Sequence, residues 1–337
     1  MLQFINATPF PGRILLLPDP EGIDTVYAVL KGTFALAPGL PPVENQVPIL
    51  DQDEFLGEPG QSSLRSASDV ALIKPGTDVV LVGAAYPPEG RRARHTEVSM
   101  AVGPIRKSVR VFGDRHWRAG SAGPARPSDP EPFERMPLTW ERAFGGADQT
   151  DDRPPRPRGE DRNPVGLGFR LANGQKTLDG LRLPNLEDPR ELIGSWEDSP
   201  PPAGFAPLCP HWEPRRSYAG TYDEEWQRRR APYLPRDFDR RFFQVAPPDQ
   251  VAPGYLRGGE PVEVVGASPR GPMRFHLPAY RVEVTYALDA RSHVRPARLD
   301  TVSIEPDDAR LVLVWRAALA CDKKALRVRS VEARACV

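Results

Sequence analysis

Proton transfer and metal binding near neutral pH fall first to histidine, and the chain carries five: His95, His116, His211, His276 and His293. They stand apart, with no His-x-His pair, no H-E-x-x-H signature and no neighbouring pair of cysteines, so no local metal set is expected. Cys209, Cys321 and Cys336 are equally scattered. An odd set without Cys-x-x-Cys fits buried or incidental thiols in a reducing compartment, not a disulfide framework. General acid and base work could fall to carboxylates. Glu141, Asp179, Glu187 and Asp223 lie in an aromatic-rich stretch, and a pair of them brought together in space would have glycosidase chemistry. Among 45 acidic residues, solvated or salt-bridged surface acids are the simpler expectation for these four. Lys31, inside the apolar run 26–34, is expected to be ion-paired or edge-facing instead of a buried amine of depressed pKa. No G-x-x-x-x-G-K-[ST] phosphate loop is present, Gly166-Leu167-Gly168 opens no βαβ unit, and no G-x-S-x-G elbow precedes a helix. These patterns lead to the expectation of a non-enzymatic protein without cofactor or metal.

Composition narrows the class further. Lys and Arg together number 45, as do Asp and Glu, so the balance leaves no basic footprint for nucleic acid or an anionic membrane. No run approaches the ~20 apolar residues that span a bilayer. The first residues, whose apolar run 14–17 ends at Pro18, do not read as a secretory signal. A soluble cytoplasmic protein is expected. At 337 residues the chain has length for two domains or one large β domain. Proline takes 41 of these positions, more than twice the usual ~5%. Each proline removes an amide donor and fixes φ, which favours short strands, turns and ordered irregular chain over long helices.

The elements that must position these residues are therefore strands. In the first third, residues 4–7, 13–17, 25–36, 79–85, 96–102 and 105–112 alternate or cluster apolar side chains between proline and glycine punctuation. Gly103-Pro104 makes a tight reversal between the last two, which predicts a hairpin. From about 120 to 250 periodicity gives way to proline, arginine and glycine, yet Trp140, Phe144, Trp196, Trp212, Trp226 and Phe242 lie there, an aromatic content that disordered tracts lack. This middle reads as ordered, irregular chain wrapped over the sheets. Within it, residues 148–162, charged, proline-bearing and free of aromatics, are the expected mobile loop. Thr221 followed three residues later by Glu224 has the spacing of a capping box and predicts a helix running to Arg230, before Pro232 stops it. Tyr222 and Trp226 stand at i and i+4, a face expected to pack on the body, with Arg228 and Arg229 nearer solvent. The last third returns to strands at 262–266, 273–277, 281–288, 299–304 and 310–319, the final pair joined by the turn Glu305-Pro306-Asp307-Asp308. Leu311, Leu313 and Trp315 on one face of 310–319, and Val312 and Val314 on the other, predict a central strand covered on both sides. The predicted fold is mainly β, with antiparallel, sandwich-like sheets, a long irregular proline-rich middle and few short helices. It is expected as a single domain over 1–337, made of strands at 1–120, the wrap at 121–250 and strands at 251–337.

Several stretches taken in order carry a resemblance. They are Asn6-Ala7-Thr8-Pro9-Phe10, Leu30-Lys31-Gly32-Thr33-Phe34, Lys74-Pro75-Gly76-Thr77-Asp78-Val79 and Gly113-Asp114-Arg115. Further on come Glu141-Arg142-Ala143-Phe144-Gly145-Gly146, Asn163-Pro164-Val165-Gly166, Leu183-Pro184-Asn185-Leu186-Glu187 and Ala219-Gly220-Thr221-Tyr222-Asp223. With Leu299-Asp300-Thr301-Val302 and Trp315-Arg316 added, the chain resembles, over most of its length, the family of unknown-function domains numbered 2169, found in type VI secretion gene clusters. The resemblance implies a cytoplasmic adaptor or chaperone that helps load a toxic effector onto the spike, the VgrG trimer with its PAAR tip. It carries over no catalytic residue. The implied partners are proteins, namely the effector, VgrG or PAAR, with neither nucleic acid nor membrane. The glycines and prolines of the motifs are expected to serve backbone geometry before contact. Aromatics and arginines are the usual anchors of protein interfaces, so the expected partner contacts are Trp140, Phe144, Trp196, Tyr222, Trp226 and Arg229. For Trp226 the helical spacing favours an inward ring, with partner contact as the alternative. The other functional class in view is a carbohydrate-binding or carbohydrate-processing β protein, stacking sugars on exposed Trp140, Trp196 or Trp226 beside paired acids.

Overall fold

The computed structural model describes residues 2–120, 124–148, 159–170 and 178–336. Its principal strands are β1 (Gln3–Ala7), β2 (Gly12–Pro18), β3 (Asp24–Ala35), β4 (Asp78–Leu81), β5 (His95–Val102), β6 (Ile105–Phe112) and β7 (Leu186–Glu187). They continue with β8 (Pro261–Val265), β9 (Met273–His276), β10 (Arg281–Leu288), β11 (Arg291–Pro296), β12 (Arg298–Glu305), β13 (Arg310–Ala320) and β14 (Val328–Cys336). A central sheet has the order β2-β3-β13-β12-β4, a second β1-β14-β10-β11 and a third β7-β6-β5-β8-β9. Within these sheets pairing is antiparallel except for β1 with β14 and β12 with β4. The mainly β, antiparallel fold class expected from the sequence is the one observed.

The chain ends interleave. β13 lies between β3 and β12, in register with β3 from Arg310 opposite Ala35 to Ala320 opposite Thr25. Val26, Ala28 and Leu30 of β3 and Leu311, Leu313 and Trp315 of β13 point into one core cluster. That cluster also takes Val98, Met100 and Val109 from the third sheet and Val284, Tyr286 and Val331 from the second. Burying each of the larger apolar side chains contributes about 1.5–3 kcal/mol, so alternation along the strands is what holds three sheets on one core.

The other face of the central sheet is covered too. Tyr27, Val29, Lys31 and Thr33 of β3 and Val312, Val314 and Arg316 of β13 are all buried. The cover comes from irregular chain before β4 and after Ala203. Gln46 accepts from the Thr33 amide at 2.7 Å and donates to the Thr33 carbonyl at 3.0 Å. Gln250 donates to the carbonyls of Val79 at 2.8 Å and Phe205 at 3.0 Å. This second layer is the physical reason that β3 and β13 read as continuous apolar runs, and β13 is the central, two-sided strand its pattern predicts.

The hairpin expected at Gly103-Pro104 joins β5 to β6, with Val102 opposite Ile105 and Gly103 at φ 52°, a left-handed backbone that costs glycine least. The strand expected at 79–85 is divided. Asp78–Leu81 joins the central sheet, while Ala84–Ala85 pairs with Met136–Pro137. Strands β11 and β14 were not expected from the pattern. Between residues 124 and 250 the described chain is irregular, built of two-residue bridges and short 3-10 turns, with α1 (Glu224–Arg229) as the one α-helix among the described residues. No helix among them is long and apolar enough to cross a membrane. Residues 149–158 of the expected mobile stretch lie outside the described residues.

Candidate protein-binding site

Several of the residues that carry the resemblance lie in the interior, while Asn6, Ala7, Thr221, Tyr222 and Asp223 are exposed. Lys31 donates to Asp69 at 2.8 Å, which meets the expectation of an ion-paired lysine. Lys74 donates to Asp78 at 2.8 Å and to the Thr301 hydroxyl at 2.7 Å. Arg316 donates to Asp300 at 2.7 Å and to the Asp69 carbonyl at 2.9 Å. Burial pushes the Asp78 carboxyl above its ordinary range, against the pull of Lys74. Burial acts on Asp300 in the same sense, but Arg316 and Lys74 outweigh it and leave that carboxyl below its ordinary range. These are charge-paired struts between the central sheet and its cover, and each partner satisfies another that burial would otherwise leave costly.

The middle motifs are struts as well. Arg115 is buried, donates to Glu187 and to the Pro184 carbonyl, and stacks its guanidinium 3.8 Å from the centre of the Phe112 ring. Its pKa is pulled down to about 10 by burial. Asn163 donates to the carbonyls of Trp140 at 2.8 Å and Phe144 at 2.9 Å. A Cβ on Gly145 would fall 2.2 Å from the Asn163 carbonyl oxygen, so the glycine permits this close approach. The four carboxylates weighed for acid and base chemistry have separate engagements. Glu141 accepts from the amide and hydroxyl of Ser63, Asp179 from the Ala119 amide, Glu187 from Arg115 and the Ile193 amide, and Asp223 from the Trp226 amide.

The six expected contact residues divide. Trp140 and Phe144 are each 3% exposed, which removes them as partner anchors. The Trp140 indole donates to the carbonyls of Ala206 and Pro207, both at 3.1 Å, and Phe144 belongs to a small buried cluster with Trp117, Leu178, Leu183 and Ile193. Their apolar neighbours Met136, Leu138 and Ala143 draw this segment inward. Trp196 is half-buried against that same cluster. Tyr222, Trp226 and Arg229 lie together on and beside α1, on the outside.

Two local expectations are corrected at α1. The N-cap is Asp223, whose carboxylate accepts from the Trp226 amide at 2.8 Å. Thr221 instead donates its amide and hydroxyl to Asp237, at 3.0 and 2.7 Å. Aspartate at the cap meets an orphan helical amide and the positive helix end together, which a threonine two residues earlier cannot reach. The Trp226 ring is half-buried and not in the core, and Tyr222 is 53% exposed. The rings meet edge-on with centroids 4.7 Å apart, and the Trp226 indole donates to the Tyr233 carbonyl at 2.8 Å. A six-residue helix has too little apolar surface to bury a tryptophan by itself.

These residues belong to a larger strip. Between Arg215 and Gln244 the chain holds seven aromatic side chains, Tyr218, Tyr222, Trp226, Tyr233, Phe238, Phe242 and Phe243, and eight arginines. None of the seven rings is fully buried. Arg241 lies 4.3 Å from the Tyr218 ring centre and Arg230 5.5 Å from that of Tyr233, while Phe238, Phe242 and Phe243 contact one another. Tyr218, Tyr233 and the three phenylalanines are not among the six expected contact residues. The signal available for them was composition, since the segment has one leucine and no valine, isoleucine or methionine and cannot form its own aliphatic core.

Beside the start of this strip lies a cleft of about 710 Å³, within the usual range of ligand sites. Pro201, Pro202, Pro214, Pro247 and Pro248 line it together with Trp140. Lys107 reaches into it and meets Asp249 at 2.8 Å. Burial lowers the Lys107 pKa, against the opposing pull of Asp249. Rigid proline walls and charged side chains, among them Arg106, Asp188, Arg190 and Glu213, make this a recess of mixed apolar and charged character.

Comparison with known proteins gives one relation. No curated protein and no solved structure matches the chain. Residues 21–316 match the bacterial family described as "Uncharacterized protein conserved in bacteria (DUF2169)", and the chain belongs to that family.

Proposed function

We propose that this protein is an adaptor of type VI secretion, a chaperone-like protein that holds a secreted effector in the bacterial cytoplasm and helps load it on the VgrG/PAAR spike. The observation that carries the reading is the strip from Tyr218 to Phe243, where seven aromatic rings interleaved with arginines stay out of the core. Aromatic rings give large contact area with few rotatable bonds, and with arginine they dominate the energetics of protein interfaces. Ring-to-ring contacts, arginine stacking and the Trp226 indole bond fix the strip before any partner arrives, which lowers the entropy cost of association. The effector and the spike are proposed as partners from the resemblance to a family of type VI secretion clusters. The test is co-expression with the effector and the spike, followed by purification and titration. Binding of the effector or the spike at micromolar concentration or tighter is expected, and absence of binding to either would overturn the reading.

A further inference from the structure

The two edges of the central sheet are treated differently. At β4 the chain covers its own edge. The Leu81 amide donates to the Phe205 carbonyl, Gln250 takes the Val79 carbonyl, and Thr77 exchanges main-chain bonds with Ala252 and Gly254. At β2, the opposite edge, the described residues provide no such cover. β2 pairs with β3 in unbroken register from Gly12 opposite Leu30 to Pro18 opposite Asp24. The Lys31 amide donates to the Pro11 carbonyl, which sets the alternation. Arg13, Leu15 and Leu17 turn their main-chain groups to β3, and Gly12, Ile14 and Leu16 turn theirs outward. Among the described residues nothing bonds the outward amides and carbonyls of Ile14 and Leu16.

Natural edges are guarded by lysines, bulges, prolines or covering chain. Among the described residues β2 has none of these before Pro18, and its one charge, Arg13, is held by Asp51. Leu16 is 49% exposed. The loop that follows β2 touches the aromatic strip. Arg230 donates to the Pro20 carbonyl at 2.6 Å, Arg240 pairs with Glu21 at 3.3 Å, and the Tyr233 ring rests against Gly22.

We infer that the free edge of β2 takes an extended segment of the partner protein as an added strand, hydrogen-bonded to Ile14 and Leu16 and running on toward Tyr233 and Trp226. The inference rests on the adaptor reading and specifies its binding mode. Ile14 and Leu16 present an amide and a carbonyl each, two residues apart, roughly 6.6 Å along the strand. Only another extended main chain meets all four at that spacing, with affinity from the main chain and selection from alternate side chains. A partner segment with an apolar side chain beside Leu16 fits. A second copy of β2 would cover the edge but leave the strip of Tyr233, Trp226 and Tyr222 unused.

The experiment measures amide hydrogen exchange of the full chain, free and with the purified effector or the VgrG–PAAR spike, alongside the variant Leu16→Pro. Proline is tolerated on edge strands, and the amide it removes at Leu16 is not used by β3, so the β2–β3 ladder is kept. Exchange at Ile14 and Leu16 is expected to be fast in the free chain and to slow about tenfold or more on binding. Leu16→Pro is expected to weaken binding by about tenfold with an unchanged Tm. Binding with protection confined to 218–243, and full affinity in Leu16→Pro, would overturn the strand-addition mode and leave the adaptor reading standing. Protection at Ile14 and Leu16 that rises with the protein's own concentration, without partner, would assign the edge to a second copy and also overturn it. Should neither effector nor spike bind the wild-type chain, the adaptor reading falls and this mode falls with it. If Leu16→Pro does not fold, the exchange pattern of the wild-type complex decides alone.

Discussion

Arg316 and Asp300 meet across neighbouring strands of the central sheet, Nε to Oδ2 at 2.7 Å, with side chains 1% and 2% exposed. The same guanidinium holds the Asp69 carbonyl at 2.9 Å, so one side chain binds β13, β12 and the covering chain together. A buried pair like this is weak evidence of net stabilisation, because desolvation offsets much of the attraction, but breaking it strands a charge. Asp300→Asn should cost about 3–5 kcal/mol, read as a lower urea midpoint with an unchanged slope. A loss below about 1 kcal/mol would show that the pair is not buried as described.

The same pair fixes a pH dependence. The Asp300 carboxyl lies below its ordinary range despite burial, held there by Arg316 and Lys74. A folded pKa below the unfolded value of about 3.9 means that the contribution is full above that pH and is lost as pH falls through the folded value. The stability gap between wild type and Asp300→Asn should therefore be widest near neutral pH and narrow below about pH 4. Asp78 works in the opposite sense, because burial raises its pKa. Urea titrations at a series of pH values check this, and a gap that stays constant down to pH 3 would contradict it.

How far the sequence disclosed this structure depends on what surrounds each residue. β13 was legible because both of its faces are apolar, and β5 and β6 because Gly103-Pro104 marks the reversal between them. β14 was missed because Val331, Ala333 and Ala335 alternate with Ser330, Glu332 and Arg334, a small-residue pattern with a weak apolar signal, and its partner β1 lies at the far end of the chain. Trp140 and Trp226 both stand among the expected contacts, Trp226 with an inward ring favoured, yet their neighbours differ. Met136, Leu138 and Ala143 take the first inside, while Glu224, Glu225, Arg228 and Arg229 keep the second out. The struts Lys31 to Asp69 and Arg115 to Glu187 join residues far apart in sequence, which spacing cannot reveal.

Helix α1 offers a local test of its cap. Asp223→Ala removes the acceptor for the Trp226 amide and should cost about 0.5–2 kcal/mol of local helix stability. Thr221→Ala leaves that bond intact. Hydrogen exchange at the Trp226 amide should accelerate in Asp223→Ala and change little in Thr221→Ala. The reverse order would restore Thr221 as the cap.

Gly113 offers a test of the irregular middle. A Cβ there would fall 1.8 Å from the Glu131 carbonyl oxygen, a backbone atom that cannot yield as a side chain could. Gly113→Ala should cost about 1–3 kcal/mol or more by forcing the two segments apart, lowering Tm measurably. An unchanged Tm would mean that residues 113 and 131 do not approach as described.

Trp226 and Trp140 together test whether the aromatic strip is a contact surface. Trp140 is 3% exposed and packs edge-on against Trp212, with ring centroids 6.4 Å apart, so Trp140→Ala should cost on the order of 3–5 kcal/mol and reduce soluble yield. Trp226 is half-buried and has two defined interactions, the edge-on contact with Tyr222 and the indole bond to the Tyr233 carbonyl. An aromatic pair is worth about 0.5–1.5 kcal/mol and a hydrogen bond about 1 kcal/mol, so Trp226→Ala should destabilise the fold by roughly 1.5–2.5 kcal/mol. Its larger effect should fall on association. If the ring is an anchor, affinity for the effector or spike drops by about 2 kcal/mol or more, about thirtyfold or greater. Thermal unfolding and a binding titration on the two variants separate these effects. Loss of stability in Trp226→Ala equal to that in Trp140→Ala, with affinity retained by the folded fraction, would make the strip part of the fold and remove it as a docking surface.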